Sequence, residues 1–227
     1  MAFPDPHGMV DAMADETSTA FDLADRAALR TVYRDPHPAV ADKHRPVIDD
    51  ASAAFIASSP FFVLATTSDG GTDASPRGGP PGFVTVLDPR RIAFGDLAGN
   101  NRLDSYTNIV DHGEVGLLFL VPGRTETLRV NGRASVTTDP AVLDVALIDG
   151  KRPKVAVVVE VAECFIHCAK ALRRSSLWDP ESWLPADQTP TAGEIIAKAW
   201  DLDVDPGLID ADLEQGYEAT MWVEGGT

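Results

Sequence analysis

The sequence predicts a mainly β protein, a closed or split antiparallel barrel with inserted and flanking helices, and three observations carry that expectation. Between residues 61 and 166, strand-length apolar or alternating runs are separated by Gly, Pro or Asp, punctuation that favours antiparallel neighbours. Two short helical patterns, NNRLDSYTNIV and AVLDVALI, interrupt those runs. A hydrophobic content of 44% in 227 residues suits one large core better than two small ones.

In chain order, residues 1–20 carry Pro4, Pro6, Gly8 and several acids and are expected to fray. A helix is predicted from about Phe21 to Val32, with Phe21, Ala24, Ala28 and Val32 near helical spacing, until Asp35-Pro36-His37-Pro38 breaks it. A second helix, N-capped by Asp49 or Asp50, carries Ala53, Phe55 and Ile56 and stops at Ser59-Pro60. Strands follow: FFVLATT, a Ser68-to-Gly71 turn, DASPR, GFVTVLD and RIAFGD. The helix NNRLDSYTNIV then presents Leu103, Tyr106, Ile109 and Val110 as its apolar side, with Gly113 as its stop. After VGLLFLV and TLRVNGRASVTT, Asp139-Pro140 caps the helix AVLDVALI, which Gly150 ends, and KVAVVVEVAECFI closes the β region. The total is six or so strands, a barrel pattern. From Ser175 onward Trp178, Trp183 and Trp200 stand among Pro and acids, and TAGE (191–194) is a capping box opening the helix EIIAKAW. The expected organisation is a flexible acidic N-terminus (1–20), a helical segment (21–60), the barrel (61–180) and an acidic C-terminal extension with one helix (181–227).

Charge excludes one class of partner. The net charge of −16 comes from the ends: residues 1–20 hold four acids and no Lys or Arg, residues 177–227 hold twelve acids and one Lys, and the middle is near neutral. A polyanion needs a positive field, so nucleic acid is not an expected partner. No basic and apolar leader opens the chain, and the longest apolar runs are too short to span a bilayer, so a cytoplasmic protein that avoids membranes is expected. Cys164 and Cys168, four apart on one segment, suit reduced thiols better than a disulfide. With one Cys/His cluster and no second ligand pair, no metal site is expected.

Three elements could seek an anion. In Gly99-Asn100-Asn101-Arg102, a helix start offers free N–H groups and a guanidinium; it is either an anion site or an ordinary capped surface helix. In Ser75-Pro76-Arg77-Gly78-Gly79-Pro80, paired glycines let backbone approach a ligand beside Arg77, or simply form a turn. TETLRVNGRASV alternates, placing Thr127, Arg129, Asn131 and Arg133 on one face, which either meets solvent or aims Thr127 and Arg129 at a ligand. Lys170, Arg173, Arg174 and Trp178 combine cations with an aromatic, for an anion, a planar ring or plain surface. Together these suggest a phosphate-bearing cofactor held against a barrel. No G-x-S-x-G elbow, Walker A, H-E-x-x-H or Rossmann fingerprint is present in the sequence.

The segments SPFFVLATTSDGGTDASPRGGPPGFV, IAFGDLAGNNRLDSYTNI, VGLLFLVPGRTETLRVNGRA and FIHCAKALRRSSLW carry a resemblance. Over residues 50–180 the chain resembles the pyridoxamine 5′-phosphate oxidase class of FMN-binding split barrels, and within it the branch of FMN-dependent enzymes of unassigned substrate. The resemblance implies a six-stranded antiparallel split β-barrel and a homodimer with FMN in the groove between subunits. It places Arg77, Asn101, Arg102 and Ser105 on the FMN phosphate, with Gly78 and Asn100 in the same two segments. The RIAFGD strand, ending at Asp96, passes beside the isoalloxazine. Thr127 stands where the oxidases proper turn a Gln toward the flavin, with Arg129 on the same face, and Lys170, Arg174 and Trp178 close the pocket from the C-terminal side.

The implied activity is FMN-dependent oxidoreduction, a hydride passing between a small organic substrate or a nicotinamide and the flavin. A flavin does this chemistry itself, which explains why no acid/base pair stands out. The alternatives are a non-catalytic flavin, haem or deazaflavin (F420) binding protein, and pyridoxamine 5′-phosphate oxidase proper. The last is put in doubt by GFVTVL where the oxidases carry an Arg-x-x-x-x-Lys strand, by Asn-Asn-Arg where they carry Ser-Arg-Lys, and by the missing Arg-x-His type substrate motif.

Overall fold

The structure, a computed structural model, describes residues 22–97, 99 and 101–223. The expected fraying of residues 1–20, and Phe21, lie outside the described residues. The chain divides into two units, residues 1–43 and 44–227.

The first unit holds α1 (Arg26–Val32) and α2 (Pro38–Ala41). α1 begins later than its apolar spacing suggests, because Asp25 caps it: the carboxylate accepts the Ala28 amide at 2.7 Å, satisfying a donor with no intrahelical partner.

The second unit opens with α3 (Asp50–Ser58), N-capped by Asp49, the first of the two aspartates the sequence offers. The Ser52 amide bonds the Asp49 carboxylate at 2.7 Å, and Ile56 is fully buried. Then come β1 (Phe61–Ser68), β2 (Gly71–Gly78), β3 (Val84–Asp88), β4 (Arg91–Gly95), α4 (Asp104–Asp111), β5 (Glu114–Leu120), β6 (Thr127–Thr137), α5 (Pro140–Leu143), β7 (Ala156–His167), α6 (Lys170–Arg174), α7 (Ala192–Ala199) and α8 (Pro206–Thr220). The strands form one antiparallel sheet in the order β2-β1-β5-β6-β7-β4-β3.

Seven strands stand where the resemblance implied six, one for each strand run named from the sequence. DASPR belongs to a full strand despite Pro76, because β2 lies at the sheet edge and pairs on one side with β1, where a missing N–H is tolerated.

The sheet is rolled but not closed by a ladder between its edges. Phe62 on β1 and Phe94 on β4 are four strand spacings apart, about 19 Å in a flat sheet. Their ring centroids are 5.0 Å apart, so the sheet curls until its two halves share one core. Phe83 and Phe119 meet Phe62 at 5.7 and 5.1 Å, and Leu64, Leu117, Val130, Val157 and Val159 complete the buried interior. The split barrel of the sequence reading is present in this open-edged form.

Two irregularities bear on the site. A bulge between β6 and β7 falls at Asn131/Gly132, where a Cβ on Gly132 would sit 2.0 Å from the Glu160 carbonyl oxygen, so no side chain fits. α4 keeps Tyr106 and Ile109 buried, yet Leu103 and Val110 are 51% and 72% exposed, against the predicted apolar face. The helix starts at Asp104, leaving Leu103 outside it in a left-handed conformation (φ 61), so helical periodicity does not apply to that residue. Gly113, at φ 85, ends α4 as expected.

The C-terminal extension carries two helices where one was predicted. Thr191 and Glu194 form the expected capping box of α7. α8 has Asp205 as cap and Pro206 at its first turn, and none of its residues is fully buried. The two helices are tied: the Gly193 amide donates to Asp210 Oδ1 at 2.7 Å, and a Cβ at Gly193 would lie 2.2 Å from the Pro206 carbonyl oxygen. Among the described residues no helix is long and apolar enough to cross a membrane.

Candidate functional site

β2 and the chain entering α4 build a polar corner. Arg77, near the end of β2, has its guanidinium carbon 5.2 Å from the Tyr106 ring centroid on α4. Its Nη1 donates to the Tyr106 hydroxyl oxygen at 3.4 Å and lies 3.8 Å from Asp96 Oδ1, just past β4. The Tyr106 hydroxyl in turn donates to Asp96 at 2.6 Å. Burial pushes the Tyr106 phenol far above its usual range, and the Asp96 carboxylate adds to this, so the hydroxyl stays protonated as a fixed donor. Arg77 Nε is buried without a hydrogen-bond partner among the described residues. Beside it the buried Ser105 hydroxyl meets Ser75 Oγ at 3.0 Å and donates to Asp73 at 3.3 Å.

These groups line a cavity of about 200 Å³ with Arg77, Asp96, Gly99, Asn101, Arg102, Leu103 and Asp104. Two guanidiniums therefore face three carboxylates, and each cation already has one as neighbour. Arg102, two-thirds exposed, bonds Asp104 at 2.5 Å.

The sequence reading of a helix N-capped by Asn is corrected. Asn100 lies outside the described residues, and Asn101 (φ 56) and Leu103 (φ 61) both take left-handed backbone before the helix begins. Leu103 makes no side-chain cap, and Asp104 supplies the negative charge that complements the positive helix end.

A larger cleft, about 820 Å³, shares Arg77, Asp96 and Gly99 with the small cavity. Gly78, Gly79, Phe83, Phe94, Gly95 and Leu97 line it, together with Ile148, Asp149, Met221 and Trp222. β2 runs unbroken through Gly78 rather than being interrupted before it. Gly79 is small for the sake of packing, since a Cβ there would lie 2.7 Å from Phe83 Cγ.

The polar face of β6 goes elsewhere. Thr127 is buried, and with Arg129 and Asn131 it lines a pocket of about 410 Å³ walled by Val63, Ala65, Leu118, Leu120 and Leu172, with His167 and Cys168. Thr127, Arg129 and Asn131 thus line a pocket, while Arg133 on the same predicted face is exposed. Arg129 lies 5.2 Å from the Phe165 ring centroid, and His167 Nδ1 is buried without a partner among the described residues. Arg133 pairs instead with Glu114 and the His112 carbonyl near the end of α4. Lys170 and Arg174 are exposed on α6, and Trp178 Nε1 donates to the Arg124 carbonyl at 2.6 Å.

The structure thus brings Arg77, Gly78, Asp96, Asn101, Arg102 and Ser105 to the joined cavity and cleft. It leaves Thr127, Arg129, Lys170, Arg174 and Trp178 away from both. Reasoning from sequence missed Asp73, Ser75 and Tyr106 in the corner, and Ile148, Asp149, Met221 and Trp222 in the cleft. Burial raises the Cys164 thiol, Cys168 is exposed, and the two are not bonded. Among the described residues no group of three His, Cys, Asp or Glu side chains is arranged to hold a metal ion.

The family model described as pyridoxamine 5′-phosphate oxidase matches residues 48–168, just over half of the chain. No curated protein matches the sequence. Among solved structures, the HupZ protein of Group A Streptococcus is 19% identical, with 52% of this chain and 93% of that one covered at a TM-score of 0.44. An FMN-binding protein from Syntrophomonas wolfei is 13% identical, with 53% and 86% covered at 0.41. An F420 reductase is 19% identical, with 49% and 93% covered at 0.34.

Proposed function

The chain belongs to the pyridoxamine 5′-phosphate oxidase family, and from that premise we propose that it is an FMN-dependent oxidoreductase acting on a small organic substrate or a nicotinamide. The observation that carries the reading is the meeting of Arg77, Asn101, Arg102 and Ser105 at one cavity that runs into a cleft of cofactor size.

The donor set suits a phosphate. Arg77 offers a guanidinium whose buried Nε has no partner among the described residues, Ser75 and Ser105 offer hydroxyls, and the first-turn amides of α4 have no carbonyl to bond within their helix. The carboxylates set the terms of entry. Asp96 is satisfied by Tyr106 and Arg77, Asp73 accepts from Ser105, and Arg102 turns from Asp104 to the phosphate. Bound there, FMN supplies the hydride transfer. The chain's own part is to grip the tail, hold Tyr106 protonated beside Asp96, and border the ring with Leu97, over a floor backed by the core side chains Phe83 and Phe94.

The β6 pocket has a role in a homodimer. There Thr127 and Arg129, with Lys170, Arg174 and Trp178 beyond them, face the cofactor held by the partner subunit. With both cysteines as thiols, we place the protein in the cytoplasm.

The test is purification in the presence of FMN, followed by anaerobic addition of NADH or NADPH. A yellow protein whose visible absorbance bleaches on addition supports the oxidoreductase. Bound flavin that no nicotinamide reduces favours a carrier, and a protein that ignores FMN in titration removes the proposal.

A further inference from the structure

The cleft is walled in part by residues remote from the barrel in sequence. Met221 and Trp222, just past the end of α8, stand in it beside Ile148 and Asp149. The Trp222 ring centroid lies 5.7 Å from Lys151 Nζ, which also pairs with Asp149 at 3.4 Å. Lys151 is set there by a tight turn: Ile148 and Lys151 bridge each other while Asp149 (φ 51) and Gly150 (φ 73) take left-handed backbone, as Asp-Gly does in such turns. Trp222 is 44% exposed and lines the cleft, so part of its surface is available to a ligand there. α8 buries none of its residues but is locked to α7 through Gly193 and Asp210. The hairpin is therefore firm within itself and brings its far end to the cleft.

Resting on the reading of the cleft as an FMN site, we infer that Trp222 is a ring-binding residue, delivered by the C-terminal hairpin to stack on the isoalloxazine. The small cavity and the cleft share Arg77, Asp96 and Gly99, so a ligand held by its phosphate in the first extends its ring into the second. Leu97 and Trp222 give that ring apolar company, with the buried Phe83 and Phe94 backing the floor of the cleft. Asp96 and Asp149 disfavour a second anionic group at the same place. A planar ring against the exposed part of the indole removes apolar area from water on both partners and gains the stacking term of an aromatic pair. The acidic extension is thereby part of the binding site, carrying a residue into it.

The test is fluorescence titration of FMN into the full chain and its Trp222→Ala, Trp222→Phe and Trp200→Phe variants. Trp200 is exposed near the end of α7 and lines no part of the cleft, so it serves as control. A stacked indole quenches flavin emission. Trp222→Ala is expected to bind FMN about tenfold more weakly, with several-fold brighter bound flavin. Trp222→Phe keeps affinity within about twofold while also brightening the flavin, a change that loss of a merely structural contact does not produce. Trp200→Phe changes neither. Unaltered affinity and emission in Trp222→Ala, or weaker binding with unchanged emission, overturns the inference and leaves the FMN reading standing. Failure of the unaltered chain to bind FMN overturns both.

Discussion

The corner at Arg77 and the pocket along β6 both place arginine beside a cavity, yet they are built for opposite tasks. At the corner, two guanidiniums, two serine hydroxyls and a helix start are interleaved with three carboxylates, and nearly every group is pre-bonded to another. Along β6, Thr127, Arg129 and Asn131 stand against a wall of aliphatic side chains, and Arg129 rests on an aromatic ring. The corner can exchange internal charge pairs for a ligand's charge. The β6 pocket can cover apolar surface and offer one cation. The sequence offers each of these arginines as a candidate ligand contact, and their neighbours in the fold separate them.

That contrast breaks most readily at Arg77. Arg77→Ala removes a partly buried cation with a free buried nitrogen and leaves Asp96 uncompensated, so FMN binding should weaken by about 3 kcal/mol in calorimetry. An unchanged affinity ends the assignment of the corner to phosphate. Arg102→Ala should cost about 1.5 kcal/mol, the low end for a charge-assisted contact, because Arg102 is exposed and already paired with Asp104. Asp104→Asn, which removes a competing carboxylate beside Arg102, should move affinity the other way by about 0.5 kcal/mol. A loss in that variant would mean that Asp104 orders the loop more than it competes.

Arg129→Ala should weaken FMN by no more than about 1 kcal/mol. A loss as large as that at Arg77 reverses the comparison and puts the phosphate in the β6 pocket. The smallest effect is acid sensitivity behind that pocket. Hydrogen bonds from Asn131 and His44, with Arg129 nearby, hold the Glu163 carboxyl below its ordinary value of 4.5. A group with a depressed folded-state pKa contributes stability that is present above its unfolded value and is lost as pH falls through the folded one. Melting temperature should therefore drop below about pH 4.5, and Glu163→Gln should make that drop shallower. Identical acid slopes in the two proteins would show that Glu163 has no part in it.

What the sequence made legible was local chemistry. Asp49 caps α3, and Thr191 with Glu194 boxes the start of α7, because each signal is complete within four residues. The strand runs were readable for the same reason, though β2 reaches past DASPR to Gly71 and Gly78, glycines that read locally as a turn and a break. The α4 start was misread because Asn looks like a cap, while the actual turn passes through left-handed Asn101 and Leu103 and ends at an aspartate. Tyr106 and Asp96 joined Arg77 through the roll of the sheet, which brings together residues well separated along the chain. Trp222 lies farther still along the chain, past a helix with no fully buried residue, and only tertiary placement reveals that it lines the cleft.

Whether the Arg77 corner grips a phosphate is tested most directly by comparing FMN with riboflavin, which has the ring but lacks that group. The unaltered chain is expected to bind FMN at least about a hundredfold more tightly than riboflavin, and Arg77→Ala to abolish most of this preference. Equal affinity for the two ligands in the unaltered chain would contradict the phosphate grip.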